Sequence, residues 1–125
     1  MSEKFEDLLG VTLKSVVRES NERIVFTEES GKVWYMYHSQ DCCESVTIDD
    51  IAGDLNDLVG TPIIRAEENS WNKNPEGVKV PEYQDSFTWT FYRIGTAKGT
   101  VVIRWYGESN GYYSESVDFG SGARA

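Results

Sequence analysis

The chain has 125 residues, 39% of them apolar and 13% aromatic, and its 12 basic and 21 acidic residues leave a formal charge of −9. That length bounds one domain with a core that needs no staples, and the aromatic content excludes a disordered chain. The acidic balance argues against nucleic acid or an anionic membrane as a direct partner, and no apolar run reaches membrane-spanning length.

The start, MSEKFEDLLG, lacks the basic-then-apolar order of a secretory signal, so a cytosolic protein is expected. Within it, EKFEDLLG reads as a short helix closed by Gly10, with Phe5, Leu8 and Leu9 on one side. VTLKSVV, ERIVFTE and KVWYMYH read as three strands, the last two joined by the turn EESG. In the third, both alternating sets are largely apolar, which predicts a strand covered on both faces.

YHSQDCCESV follows, and it holds the only histidine and both cysteines of the chain. His38, Asp41, Cys42, Cys43 and Glu44 are the candidate ligands if a metal binds here. A zinc site needs four ligands, usually in separated pairs, and this segment offers two adjacent cysteines and one histidine. The expectation is therefore no metal and no cofactor. A cysteine nucleophile with His38 as base is the enzymatic alternative. Adjacent cysteines make a poor staple, so two free thiols are expected.

TIDDIAGDLNDLVG (47–60) carries Ile48, Ile51, Leu55 and Leu58 at helical spacing, a Thr47 cap, and a Gly60/Pro62 stop. It predicts an amphipathic helix whose outer face presents Asp50, Asp54 and Asp57, either as a plain solvated face, the favoured reading, or as an acidic ridge for a basic partner. TPIIRAEE reads as a short strand, and 69–85 as a long polar loop in which Trp71 and Tyr83 are candidate exposed anchors, with buried plugs the favoured alternative.

SFTWTFY alternates, with Phe87, Trp89 and Phe91 expected toward the core. GTVVIRWYG, then ESNG, then YYSESVDF suggests a bulged hairpin that pairs Ile103 with Val117 and Val101 with Phe119. Its tip offers Tyr112 and Tyr113, with Glu108 beside them, as protein contacts. Glu108 and Glu115 are paired carboxylates in sequence, and the chain shows no cleft motif that would make them a glycosidase pair. Residues 120–125 read as a disordered tail.

The order of elements gives one α+β domain over 1–119: mostly antiparallel sheet, one amphipathic helix packed on it, and a short N-terminal helix. No Walker loop, G-x-G-x-x-G, H-E-x-x-H or G-x-S-x-G is present, which weighs against an enzyme.

Two blocks, DCCESV and WYGESNGYYSESV, resemble a family of small proteins encoded by bacteriophages and prophages whose function is unknown. The resemblance runs from about Tyr35 to Phe119 and brings no activity, cofactor or catalytic residue. It implies expression in the cytoplasm of a bacterial host. With the acidic charge, it makes an accessory protein that binds a bacterial host protein with a basic surface, such as a defence or nucleic-acid enzyme, the favoured expectation. A structural phage component is a further alternative.

Overall fold

The computed structural model describes residues 4–122. Eight strands form two antiparallel sheets of four, and among the described residues there is no α-helix. The first sheet contains β1 (Leu13–Ser20), β2 (Arg23–Glu28), β3 (Val33–Tyr37) and β8 (Asp118–Ser121) in that order. The second contains β4 (Ser45–Ala52), β5 (Arg65–Trp71), β6 (Ser86–Thr96) and β7 (Gly99–Ser109), ordered β4-β7-β6-β5.

Their inner faces share one core. Ile24, Phe26, Trp34 and Met36 of the first sheet meet Val46, Ile48, Tyr92, Ile94, Val101, Ile103 and Trp105 of the second. The Trp105 indole N–H reaches the Met36 sulfur at 3.2 Å, a polar contact across the middle of that core. Leu8 and Leu58, both fully buried, plug the sandwich from two short 3-10 turns, Phe5–Leu8 and Leu55–Leu58.

The α+β expectation is thus corrected to a β-sandwich. Residues 47–60 are not a helix. Ser45–Ala52 is an edge strand paired with β7, and Leu55–Leu58 is a single 3-10 turn. The reason is a bulge between Ile48 and Asp50, which shifts the register against β7. An extra residue puts Ile48 and Ile51 three apart on the same inner face, which reproduces a helical spacing in a strand. The N-terminal helix is likewise one 3-10 turn.

The expected hairpin after β7 does not form. β7 lies between β4 and β6, while Phe119 pairs with Met36 and Asp118 with Tyr37 on β3 in the other sheet. Gly120 and Ser121, expected in a disordered tail, continue that pairing; of the rest of the expected tail, 123–125 lie outside the described residues.

The facing of β6 is also reversed. Thr90, Tyr92 and Ile94 point inward, and Phe87, Trp89 and Phe91 line the outer face. In β3, Trp34 and Met36 are buried and Val33, Tyr35 and Tyr37 are only partly covered.

Candidate functional site

The register places several distant segments at one end of the second sheet. Trp71 ends β5, Ser86 begins β6 opposite Ser109 at the end of β7, and Ser45 begins β4 opposite Glu108. The loop 72–85, the turn 110–113 and the 38–44 segment therefore all leave from this end.

A row of residues crosses its outer face: Trp71, Trp89, Tyr106 and Thr47 are successive cross-strand partners. Trp89 is only 1% exposed although it points away from the core. The 72–85 loop covers it, and the cover is bonded. Trp89 Nε1–H donates to Asn74 Oδ1 at 2.9 Å, and Asn74 Nδ2 donates to Gln84 Oε1 at 2.7 Å. Gln84 Nε2 donates to the Tyr106 hydroxyl at 2.8 Å, and that hydroxyl donates to Glu108 Oε1 at 2.8 Å. Burial, opposed by the Gln84 bond and reinforced by the Glu108 charge, pushes the Tyr106 phenol up to about 12. Tyr106 thus remains a neutral donor at any physiological pH. The Arg104 guanidinium lies 5.6 Å from the centre of the Trp89 ring and closes the cluster on its third side.

Around this fixed platform the aromatic side chains stand free. Trp71 is 58% exposed, Tyr83 79% and Tyr112 87%. Trp71 meets only the edge of Phe91, at 5.9 Å between ring centres, and borders a groove of about 690 Å³ whose wall is Asn72 to Glu76. Monomeric surfaces carry single exposed aromatics often; three converging on one end is the pattern of a contact surface.

The 38–44 segment closes on a buried contact between His38 and Glu44. His38 Nε2 lies 2.7 Å from Glu44 Oε2, and His38 Nδ1 lies 2.7 Å from the Ser116 carbonyl. Both ring nitrogens thus lie against acceptor oxygens. Glu44 also accepts from the backbone N–H of Asp41 at 2.8 Å and of Cys42 at 3.0 Å. The Cys42 amide first, then His38 and Asp41, lower the Glu44 carboxyl to about 2 against the opposing cost of burial. Gln40 Nε2 donates to the Glu44 carbonyl at 2.6 Å.

Cys42 and Cys43 are exposed at the tip of this loop and are bonded to each other, not free thiols as expected. His38 turns toward Glu44 and Ser116, and neither of its ring nitrogens is left to act as a base. Among the described residues no group of histidine, cysteine and carboxylate side chains is arranged to hold a metal ion. Asp41 contributes its backbone to Glu44 and its side chain faces outward.

The expected aspartate ridge is dispersed. Asp50 sits exposed on the β4 bulge, where Asp49 takes the ion pair with Arg104 at 2.6 Å. Asp54 caps the 3-10 turn by accepting from Asn56 N–H at 2.9 Å. Asp57 lies against Gly99, at the opposite end of the sheet from Trp71, and its carbonyl accepts from Thr96 Oγ1 at 2.5 Å. No single face presents the three together.

Tyr112 and Tyr113 stand in the turn after β7, held by Asn110 Oδ1 accepting from the Tyr112 amide at 3.1 Å and by Ser109 Oγ accepting from Gly111 at 3.0 Å. Glu108 and Glu115 lie on opposite faces of the second sheet. Glu108 bonds Tyr106 outside, and Glu115 accepts from Thr88 at 2.8 Å and Ser109 at 2.6 Å inside. They cannot flank one glycosidic bond. Asn74 and Gln84 escaped the sequence reading, and Trp89 was expected in the core, because their bonds join a loop to the outer face of the sheet.

No curated protein matches the chain, and no solved structure matches it. The model of one family, a domain of unknown function designated DUF7448, matches residues 6–119, and so includes β1 to β3 as well as the two blocks quoted above. The chain belongs to the DUF7448 family.

Proposed function

We propose that this protein is a phage-encoded accessory protein that acts in the bacterial host cytoplasm by binding a host protein. The observation that carries the reading is the convergence of exposed Trp71, Tyr83 and Tyr112 on one end of the sandwich, around a platform fixed by Asn74, Gln84 and Tyr106. A rigid platform with protruding aromatics loses little side-chain entropy on docking and gains large apolar contact. The DCCESV and WYGESNGYYSESV blocks support the phage setting by resemblance alone. No helix among the described residues is long and apolar enough to cross a membrane.

The −9 charge supplies long-range attraction to a basic surface. With Asp50, Asp54 and Asp57 spread over the sheet, they act as a diffuse field that speeds encounter, and Trp71, Tyr83, Tyr112 and Tyr113 hold the complex. Glu108 is committed to Tyr106 and shapes the platform. If the host target binds nucleic acid, the outcome is competition for its groove.

The test is capture from bacterial lysate, followed by titration of the captured partner with purified chains. Trp71→Ala with Tyr112→Ala should weaken binding by about 2 kcal/mol or more, in the range of interface anchors. The Asp50/Asp54/Asp57→Asn variant should slow association and flatten its salt dependence while leaving dissociation unchanged. A partner held equally by the aromatic variant, or no partner at all, would overturn the proposal.

A further inference from the structure

Cys42 and Cys43 are adjacent in the chain, bonded to each other and exposed at the tip of the 38–44 loop. A disulfide stabilises a fold mainly by closing loops of the unfolded chain, and it does so least where the loop is shortest. A bond between neighbours ties no strand to another. Exposed disulfides are the ones open to attack by a thiolate, and they are the exchangeable class, where buried staples resist. On the side of β7, Cys43 lines a groove of about 470 Å³ with Ser45, Tyr106, Glu108 and Asn110, through which a small thiol can approach.

The backbone of Cys42 belongs to the loop closure. Its N–H donates to Glu44 Oε1 at 3.0 Å, and its carbonyl accepts from Gln40 Nε2 at 3.4 Å. The same Gln40 amide donates to the Glu44 carbonyl at 2.6 Å. The disulfide closes a small ring through the peptide unit between Cys42 and Cys43, so it holds the torsions on both sides of that unit. The Cys42 carbonyl is part of the ring. Breaking the bond therefore frees the torsions that aim Cys42 at Gln40 and Glu44. The far end of the loop is tied to the segment that enters β8, through His38 Nδ1 at 2.7 Å from the Ser116 carbonyl and the Ser39 N–H donating to Asp118 Oδ2 at 2.9 Å.

We propose that Cys42–Cys43 is a reversible exchange site for low-molecular-weight thiols, and that its redox state sets how firmly the 38–44 loop closes on Glu44. Two molecules of the small thiol are the reductant. The thiolate of the first attacks the Cys43 sulfur from the groove. The S–S bond breaks, its electron pair leaves on the Cys42 sulfur, and that sulfur takes up the proton the attacking thiol gave up. The thiolate of the second attacks the outer sulfur of the mixed disulfide, and Cys43 leaves as a thiolate and is protonated in turn. The products are two cysteine thiols and one small-molecule disulfide, which drives the same steps backwards when it is in excess. Only one peptide unit separates the two thiols, so they re-pair without a search by the chain. The chemistry uses the loop alone and does not depend on the function proposed for the exposed aromatics.

The experiment holds the purified full chain in glutathione buffers of graded reduced-to-oxidised ratio. Alkylation with mass spectrometry counts free thiols, and NMR reads amide exchange on the same samples. The chain should carry no free thiol in the most oxidising buffer and two in the most reducing one, with the transition reversible in both directions. Amide exchange at Cys42 should be about tenfold faster in the reduced chain, the worth of one hydrogen bond to a charged acceptor. Exchange at Phe26 in β2 and Ile103 in β7 should not change. Cys43→Ser cannot form the bond, so it should show the reduced chain's exchange pattern in every buffer. Two free thiols in the most oxidising buffer, a bond that survives the most reducing one, a persistent glutathione adduct in place of two thiols, or equal Cys42 exchange in the two states would each overturn the proposal.

Discussion

His38 and Glu44 face each other at 2.7 Å, and their side chains are 2% and 0% exposed. The pair turns an irregular segment into a closed loop, and the His38 bond to the Ser116 carbonyl ties that loop to the strand that enters β8. A connection between the two sheets is thus held by the His38–Glu44 pair together with backbone amides that the carboxylate collects.

Glu44→Gln should lower the melting temperature at pH 7 and speed amide exchange at Asp41 and Cys42, because a neutral amide replaces the carboxylate that accepts from both of those backbone N–H groups and faces His38. The pH dependence has a definite sign. The folded carboxyl, at about 2, lies below its ordinary 4.5, so its contribution is complete above about 4.5 and is lost as the pH falls toward 2. The gap in melting temperature between wild type and Glu44→Gln should therefore narrow across that window. A gap that persists at pH 2 would show that shape, not charge, accounts for it.

Leu58 and Leu55 share the 3-10 turn that stands where a helix was expected, and they differ in depth. Leu58 is fully buried, and Leu55 is only partly so. Leu58→Ala should cost about 2–5 kcal/mol, the usual range for a buried leucine, and Leu55→Ala clearly less. Denaturant unfolding of both variants measures the difference. Equal costs would mean that the turn does not plug the core from Leu58.

Gly107 on β7 sits where the irregular 114–117 segment passes. A Cβ built there would lie 2.6 Å from the Glu115 carbonyl oxygen and 3.2 Å from Val46 Cγ2. Backbone cannot swing aside as a side-chain tip can, so Gly107→Ala should destabilise by about 1–3 kcal/mol through overpacking. The same denaturation experiment reads it. A neutral result would place the 114–117 segment farther from β7 than it lies here.

Asn74 bonds Trp89 and Gln84 at once, and so pins the 72–85 loop over the outer face. Asn74→Ala should free the loop with little loss of global stability, since the sandwich core lies on the other side of the sheet. Limited proteolysis should cut the variant within 72–85 faster than wild type, and Trp89 fluorescence should shift to the red as water reaches the indole. Unchanged cleavage and fluorescence would mean that the loop is held by other contacts.

The alternation in RIVFTE and VWYMY was sufficient to place β2 and β3 and their joining turn, because a half-buried strand must repeat every second residue. The polar loop was legible for a similar reason, since polar chain punctuated by proline and glycine has no face to bury, but it begins after Trp71, which ends β5, and the exposure of Trp71 and Tyr83 was not legible: buried plugs were the favoured expectation. The segment 47–60 was not. One bulged residue between Ile48 and Ile51 gives a strand the spacing of a helix, and only the presence of β7 alongside decides which backbone bonds form. Val117 and Phe119 alternate correctly for a hairpin with β7, yet their strand belongs to the other sheet. Side-chain period states which residues turn inward; it carries no record of which of two sheets receives them. The candidate sites share that limit. The platform of Trp89, Asn74, Gln84 and Tyr106 and the His38–Glu44–Ser116 closure both join residues far apart in the chain. Local propensity fixes none of these contacts, because each exists only once both sheets have closed on their common core.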